Sequence, residues 1–592
     1  MSVYQHPYKD VDFVIRHLLE FDAFCKENNL ADVDTDFANV ILSEADKFAA
    51  KYLVEQNQQG DLHPAKLVDG KVVETPGFGD SYNAFVEQGW PSLSASESFG
   101  GQGLPNLFSV AANEIWQSAN LAFALCPLLG QGAISALEKH GSETLKAQYL
   151  EKMISGQWTG TMNLTEAAAG TDLAAIKTRA VQKDGQYKIF GQKIFITWGD
   201  HQMADNIIHL VLARLPDAPA GVKGISLFIV PKFLLDEAGN PAAENDLRCI
   251  SLEHKLGIHG SPTCVMSYGD NEGAIGYLVG EEHCGLRYMF SMMNHARQGV
   301  GVQGLGITER AFQGALEYAS QRVQGSDKAG NDIRIIAFGD VRRMLLMMKS
   351  GAEAMRALCY VAGFEYDKKS VAADEDKAAV DATIAFLTPI VKGWCTELAQ
   401  ELVSLAMQVY GGAGYIEEAG VAQHVRDARI LPIYEGTTGI QALDLTIRKT
   451  LLDNGAQATL FIEQIQQCVD DLNMLEGAGD LQSALSSALD DGRAALAWLA
   501  ENPKQADSVA AHNLQLWGYL LGGWLMAKSS IAAQQQLDKG EGDSEYLKAK
   551  LVTCQFYTEH LLVRTKASIA SIKAGSEAIM SLSEEQFFSH VN

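Results

Sequence analysis

The chain has 592 residues with 47 Lys+Arg against 73 Asp+Glu, a net charge of −26 that argues against DNA or RNA recognition built on clustered cations. Hydrophobic residues make up 47% and charged residues 20%, with 14 Pro beside 54 Gly, a globular rather than a disordered composition. At about 150 residues per domain the length supports roughly four domains.

Near the start, Lys9, Asp10, Asp12, Arg16 and Glu20 interrupt the stretch where a signal peptide would be continuously apolar. Nine Cys are scattered singly, with no C-x-x-C pair and no Cys/His zinc spacing, so a reducing compartment is expected and no metal site. The apolar stretch Leu516 to Ala527 is far shorter than the roughly 20 residues that cross a bilayer. We therefore expect a cytoplasmic protein without a transmembrane segment.

Apolar residues three and four apart predict helices over most of 1–155, as in Phe37 to Val54 and Ile134 to Leu150. Between 156 and 285 the runs become short and β-branched or aromatic, at Tyr187 to Ile196, Ile207 to Ala213 and Ile225 to Pro231, and predict an inserted β domain. Helical spacing resumes over 286–454, where Trp394, Leu398, Leu402, Leu405 and Val409 share a face. After Asp453-Asn454-Gly455 a further helical domain, 455–592, begins with Leu481, Leu485, Ala488, Leu489, Leu496 and Leu499. The expected fold class is mainly α with an inserted β domain.

A G-x-G-x-x-G match at Gly299, Gly301 and Gly304 lies inside a helical stretch, not after a strand. We read it as small residues that let helices pack closely. Four other segments are more informative. Gly160 to Asp172 carries hydroxyls and small residues, and Gly191 to Asp200 sets Phe195 two residues from Thr197 at a strand end. Ala406 to Glu418 runs a helix into Gly411-Gly412, where backbone could approach a ligand or simply cap the helix. Arg429 to Leu445 places Glu435 between Tyr434 and Gly436 in an apolar stretch, followed by the helix starters Thr437 and Thr438. Taken singly, each also reads as an ordinary turn, strand or solvated loop.

Together and in this order, the four segments resemble the acyl-CoA dehydrogenase family over about Leu18 to Asp453. Its T-E-P-x-A-G-S-D, K-x-x-I-T/S-N-G, Q-x-x-G-G and Y-E-G-T patterns stand here as Thr165 to Asp172, Lys193 to Gly199, Gln408 to Gly412 and Tyr434 to Thr437. Tyr4 to Ile15 and the domain after Gly455 are similar to the larger bacterial branch of that family, which includes 3-methylmercaptopropionyl-CoA dehydrogenases. The resemblance implies the α/β/α architecture of the family plus an extra C-terminal helical domain.

It also implies FAD as cofactor. Leu164 and Thr165 would meet the pyrimidine end of the flavin, Phe195 would pack on its ring and Thr197 would hydrogen-bond near the hydride-accepting nitrogen. Thr171 would lie near the pyrophosphates and the substrate. Across a homodimer, Arg322, Gln408, Gly411 and Gly412 would hold the adenosine diphosphate part, completed by Thr437 and Gln441. Glu435 would remove the α proton of an acyl-CoA as the β hydrogen leaves as hydride, giving a trans-2-enoyl-CoA. Asn294, Arg297 and Gly436 match substrate-contacting positions, although Arg297 reads equally as structural. Some members carry the base directly before the arginine that corresponds to Arg297, but that position is Ala296 here.

Burial should raise the Glu435 pKa, and hydrogen bonds to the thioester oxygen would add about 3–4 kcal/mol apiece. Departures from the family are Ala167 for the usual proline, Trp198 for Asn and Gly325 for an aromatic. Electron-transfer flavoprotein is the implied acceptor. The alternatives are an acyl-CoA oxidase, a DNA-associated flavoprotein and a scaffold without chemistry. From Gly455 onward nine Lys+Arg face 17 Asp+Glu, which disfavours the DNA-associated reading.

Overall fold

In the computed structural model, which describes residues 4–30, 33–183, 185–475 and 477–591, the β-branched runs of the middle region form an eight-stranded sheet. Its strands are β1 (Trp158–Asn163), β2 (Arg179–Lys183), β3 (Gln186–Thr197), β4 (Asn206–Arg214), β5 (Ile225–Pro231), β6 (Leu247–Leu252), β7 (Thr263–Tyr268) and β8 (Ala274–Leu278). They are ordered β6-β7-β3-β8-β5-β4-β1, with β2 beside β3 and β4. The β1–β4 pair is parallel, and β4 is buried from Asn206 to Ala213, which is why it reads as a continuous apolar run. Two apolar clusters flank this sheet, one with Tyr149, Trp158, Leu227 and Met292, the other with Ile189, Val211, Phe228 and Met266.

The principal helices are α1 (Tyr8–Phe13), α2 (Leu121–His140), α3 (Gly285–Gln321), α4 (Gly339–Val371), α5 (Lys377–Tyr410), α6 (Thr438–Leu443), α7 (Ala506–Lys539) and α8 (Ser544–His560). By length and composition, Leu121–His140 and the stretch Lys377–Tyr415 could each cross a membrane, a possibility the sequence reading did not single out. Their apolar windows are 78% and 61% buried, as in the core helices of a folded domain.

The chain forms two compact units: Glu44–Gly299 is one, and the residues through Ser43 join those from Val300 onward in the other. In the first, α2 lies on β1, and a Cβ on Gly160 would stand 2.5 Å from that of Ala133. In the second, α4 and α5 pack side by side and α7 lies against both. Trp394, Leu398, Leu402 and Val409 of the expected α5 face are buried, and Leu405 is half-buried.

The first 43 residues group with those from Val300 onward, apart from the residues that follow them directly in the chain. Side-chain chemistry accounts for this. Phe13 packs with Ala533 and Leu547, and buried Asp10 pairs with Arg356 at 2.5 Å and with Lys550.

Glycines 299, 301 and 304 lie within α3, as the packing reading requires. Added Cβ atoms would meet Leu128 from Gly299, Val391 from Gly301 and the Cys395 carbonyl from Gly304, at 2.4, 2.3 and 2.9 Å.

Candidate active site

In the 44–299 unit, the loop after β1 is fastened to β3 by a buried ion pair. Lys193 Nζ donates to the Leu164 carbonyl at 3.0 Å and to Glu166 Oε1 at 2.9 Å, while the Ile194 N–H donates to the Thr165 carbonyl at 2.9 Å. Lys193 is 0% exposed. Burial presses its ammonium down to about 8, with Glu166 opposing. Burial acts to raise Glu166, but the Lys193 charge outweighs it and holds the carboxyl below its ordinary value. Further N–H donors to Glu166 come from Lys177 at 2.6 Å and Thr178 at 3.0 Å.

The register against β7 slips between Lys193 and Ile196, and this bulge turns Phe195 outward at φ 59° with 58% exposure. A left-handed conformation is costly for a bulky side chain and marks a locally over-determined site. Trp198 adopts φ 52° three residues on, where an Asn would do so more easily. Its indole N–H donates to the Ala122 carbonyl at 3.1 Å and its ring stacks on Phe78, so packing holds the conformation. Thr197 and Thr165 are half-buried, and Thr171 is exposed. Further along, Arg297 is buried against the Phe290 ring, and its Nη1 reaches Asn294 Oδ1 at 3.4 Å.

In the other unit, the 430–437 turn presents Glu435 at φ 54° and Gly436 at φ 90°. Three side chains pin it. Gln441 Nε2 donates to the Glu435 carbonyl at 3.2 Å, Lys392 Nζ donates to the Gly436 carbonyl at 2.6 Å, and the Tyr434 O–H donates to Gln303. Burial pushes the Tyr434 phenol well above its ordinary value, and the Glu435 carboxylate adds to the shift. Thr437 accepts the Ile440 N–H at 3.3 Å and caps α6. Thr438 donates to Glu397 at 2.6 Å. Among the described residues, buried Gln441 Oε1 and Gln303 Nε2 have no hydrogen-bond partner.

At the end of α5, Gln408, Gly411 and Gly412 are exposed, and no atom stands within 4 Å of a Cβ on either glycine. Tyr410 stacks on Tyr318 of α3 with ring centroids 4.2 Å apart, which brings this corner beside the last turn before Arg322. Arg322 opens an exposed hairpin in which Gly325 takes φ 86°, a conformation that suits glycine rather than the family's aromatic. The Phe338 ring lies 3.7 Å from where a Cβ at 325 would stand, bringing an aromatic to that spot from another position. Sequence reasoning missed Phe338, Lys392 and the Lys193–Glu166 pair; the last was the most accessible, because both residues stand inside the quoted motifs.

Comparison with known proteins matches all of these segments. The "Acyl-CoA dehydrogenase, N-terminal domain" profile matches residues 39–157, the middle domain 161–270, the C-terminal domain 283–449, and "Acetyl-CoA dehydrogenase C-terminal like" 461–583. The chain is 45% identical to the 3-methylmercaptopropionyl-CoA dehydrogenase of Ruegeria pomeroyi, over 98% of this chain and 100% of that one. The chain belongs to the acyl-CoA dehydrogenase family.

This acyl-CoA dehydrogenase also shares its fold with Caenorhabditis elegans ACDH-11 in complex with C11-CoA, at TM-score 0.78 and 22% identity over 98% of this chain and 95% of that one. An acyl-CoA dehydrogenase complexed with FAD from Bacillus anthracis is similar at TM-score 0.73 and 20% identity, over 95% and 91%. It is thus an oxidoreductase with the family's helical, β and helical domains, extended by a further helical region. The family is FAD-dependent. The residues of the 44–299 unit fit a flavin: the Phe195 ring is exposed, and the Thr165 and Thr197 hydroxyls in the same motifs are half-buried.

Proposed function

We propose that this acyl-CoA dehydrogenase introduces a trans α,β double bond into an acyl-CoA, with Glu435 as the base that removes the α proton. The observation that carries this reading is the left-handed Glu435-Gly436 turn, pinned through both carbonyls by Gln441 and Lys392. A non-glycine residue held in that region costs of order 1–3 kcal/mol, which a solvated loop carboxylate would have no reason to bear.

FAD supplies the hydride acceptor for the β hydrogen. Within the chain, the Glu435 carboxylate takes the proton, and its backbone N–H is the donor offered to the thioester oxygen as that oxygen gains charge. Leu164, Thr165, Thr171, Phe195 and Thr197 serve the flavin, as do Arg322, Gln408, Gly411, Gly412, Thr437 and Gln441. Asn294, Arg297, Gly436 and Thr171 serve the acyl-CoA. The 45% identity to a 3-methylmercaptopropionyl-CoA dehydrogenase supports short acyl chains, thioethers included, as the substrate class. We further propose a cytoplasmic homodimer that passes electrons to electron-transfer flavoprotein.

Glu435→Gln keeps the shape of the side chain but removes the base. The variant should retain bound FAD and acyl-CoA affinity while anaerobic flavin bleaching by acyl-CoA slows by about 10²–10⁴-fold. Bleaching at the parent rate would sink the assignment. A panel from butyryl-CoA to long-chain acyl-CoA, with 3-methylmercaptopropionyl-CoA included, then fixes the chain preference.

A further inference from the structure

Lys392 lies in the middle of α5 and is 0% exposed, yet its ammonium reaches the turn that carries Glu435 and donates to the Gly436 carbonyl at 2.6 Å. Burying an ammonium is expensive. A cation at this point adds two things an amide lacks: a charge-assisted bond strong enough to hold a strained backbone, and a positive charge one residue from an anionic base.

The geometry of the turn makes the first effect specific. Glu435 and Gly436 take consecutive positive φ angles of 54° and 90°, so the direction of the Glu435 side chain depends on the two peptide planes that follow it. Gln441 fixes the first plane through the Glu435 carbonyl, and Lys392 fixes the second through the Gly436 carbonyl. Ahead of them, the Tyr434–Gln303 bond anchors the preceding side chain.

We propose that Lys392 is a positioning residue for desaturation, which sets the aim of the Glu435 carboxylate by holding the Gly436 carbonyl. The inference rests on Glu435 being the base.

The test compares parent, Lys392→Met, Lys392→Arg and Glu435→Gln as full-length, FAD-loaded enzymes, with butyryl-CoA and 3-methylmercaptopropionyl-CoA as probes. Rates are expressed per bound flavin, so loss of folded protein does not count as loss of catalysis. Lys392→Met should lower kcat at least tenfold with KM within threefold of the parent, and Lys392→Arg should recover part of the loss. A parent rate per bound flavin in Lys392→Met, even with a lower melting temperature, would make Lys392 a packing residue and overturn the inference. So would a fall confined to KM. Should Lys392→Met fail to fold, Lys392→Gln decides on the same readouts, because it keeps a neutral donor and loses the charge.

The two readings fail separately. If Glu435→Gln bleaches like the parent, the base assignment falls and this inference with it. If Glu435→Gln is inactive while the Lys392 variants match the parent, only the role of Lys392 falls.

Discussion

Phe195, Trp198 and Glu435 are bulky or charged residues held at positive φ, and all three stand in motifs that carry the family resemblance. Such strain persists only where neighbouring groups over-determine the backbone. Beside Phe195 part of that work falls to Lys193 and Glu166, whose side chains are 0% and 9% exposed. Lys193→Met would leave Glu166 buried without its cation, a loss of about 3–5 kcal/mol. The expected outcome is a lower denaturation midpoint together with weaker FAD retention; a midpoint unchanged in both apo and FAD-loaded protein would show that the pair does not hold the loop. Two further residues of this unit set a pH response. His201 and His209 are buried, bonded to Thr159 at 3.0 Å and Thr161 at 2.7 Å, and burial, aided by the Lys232 charge, pushes each from 6.5 down to about 3. Because the folded values lie below the unfolded ones, the unfolded chain takes up protons that the fold refuses. Stability present above about pH 6.5 is therefore lost as the pH falls toward 3. His209→Asn should lose less stability than the parent between pH 7.5 and pH 5 in urea melts, and parallel losses would contradict the assignment.

At the scale of elements, the added C-terminal helices are part of one core with α5. Gly393 faces Leu514, and a Cβ on Gly518 of α7 would stand 2.0 Å from Trp394 Cγ. Trp394 is 0% exposed and cannot withdraw without opening a cavity. Gly518→Val should therefore cost about 1–3 kcal/mol or more by overpacking, seen as a lower melting temperature, whereas Gly479→Ala, at a helix start with open space around it and no positive φ, should not. The helix faces were legible beforehand because periodicity is a local property: Trp394, Leu398, Leu402 and Val409 repeat within 16 residues. The motifs of the candidate site were legible in the same local way. Thr165 to Asp172, Lys193 to Gly199 and Tyr434 to Thr437 are contiguous words, each readable without knowing what faces it. What was not legible depends on packing between distant positions. Nothing near Lys392 announces that it meets Gly436, 44 residues later, and nothing near Gly325 announces that Phe338 comes to its side. Lys193 and Glu166 were both in view, but their pairing needed the bulge in β3 and the fold of the preceding loop.

At the scale of the whole molecule, the N-terminal segment and the C-terminal extension are bound through a dry cluster of charges. Arg356 bonds Asp10 at 2.5 Å and Glu309 at 2.8 Å, while Lys550 meets Asp10 and, at 2.6 Å, Glu353. Tyr546 donates to Asp10 at 2.9 Å. Burial would push the Asp10 carboxyl up, but Lys550 and Arg356 outweigh it and hold the group far below its ordinary value. Net stabilisation by such a cluster over an apolar core is not assured, since desolvation offsets much of the attraction. Its consequence is specificity, because removing one member leaves the others with fewer partners. Lys550→Met leaves Asp10 and Glu353 without a shared cation in a region that water does not reach. Asp10 keeps Arg356 and Glu353 keeps Lys349, so the expected cost is below the about 3–5 kcal/mol of a fully uncompensated buried charge. Asp10→Asn, by contrast, removes one negative charge while keeping a polar group of the same shape, so it should cost less than Lys550→Met, and in the double variant the penalties should combine to less than their sum. Urea denaturation of the four proteins checks this. Strict additivity would mean that the first helix and the extension are joined by apolar contacts such as Phe13 with Leu547 alone, and that the buried charges are bystanders.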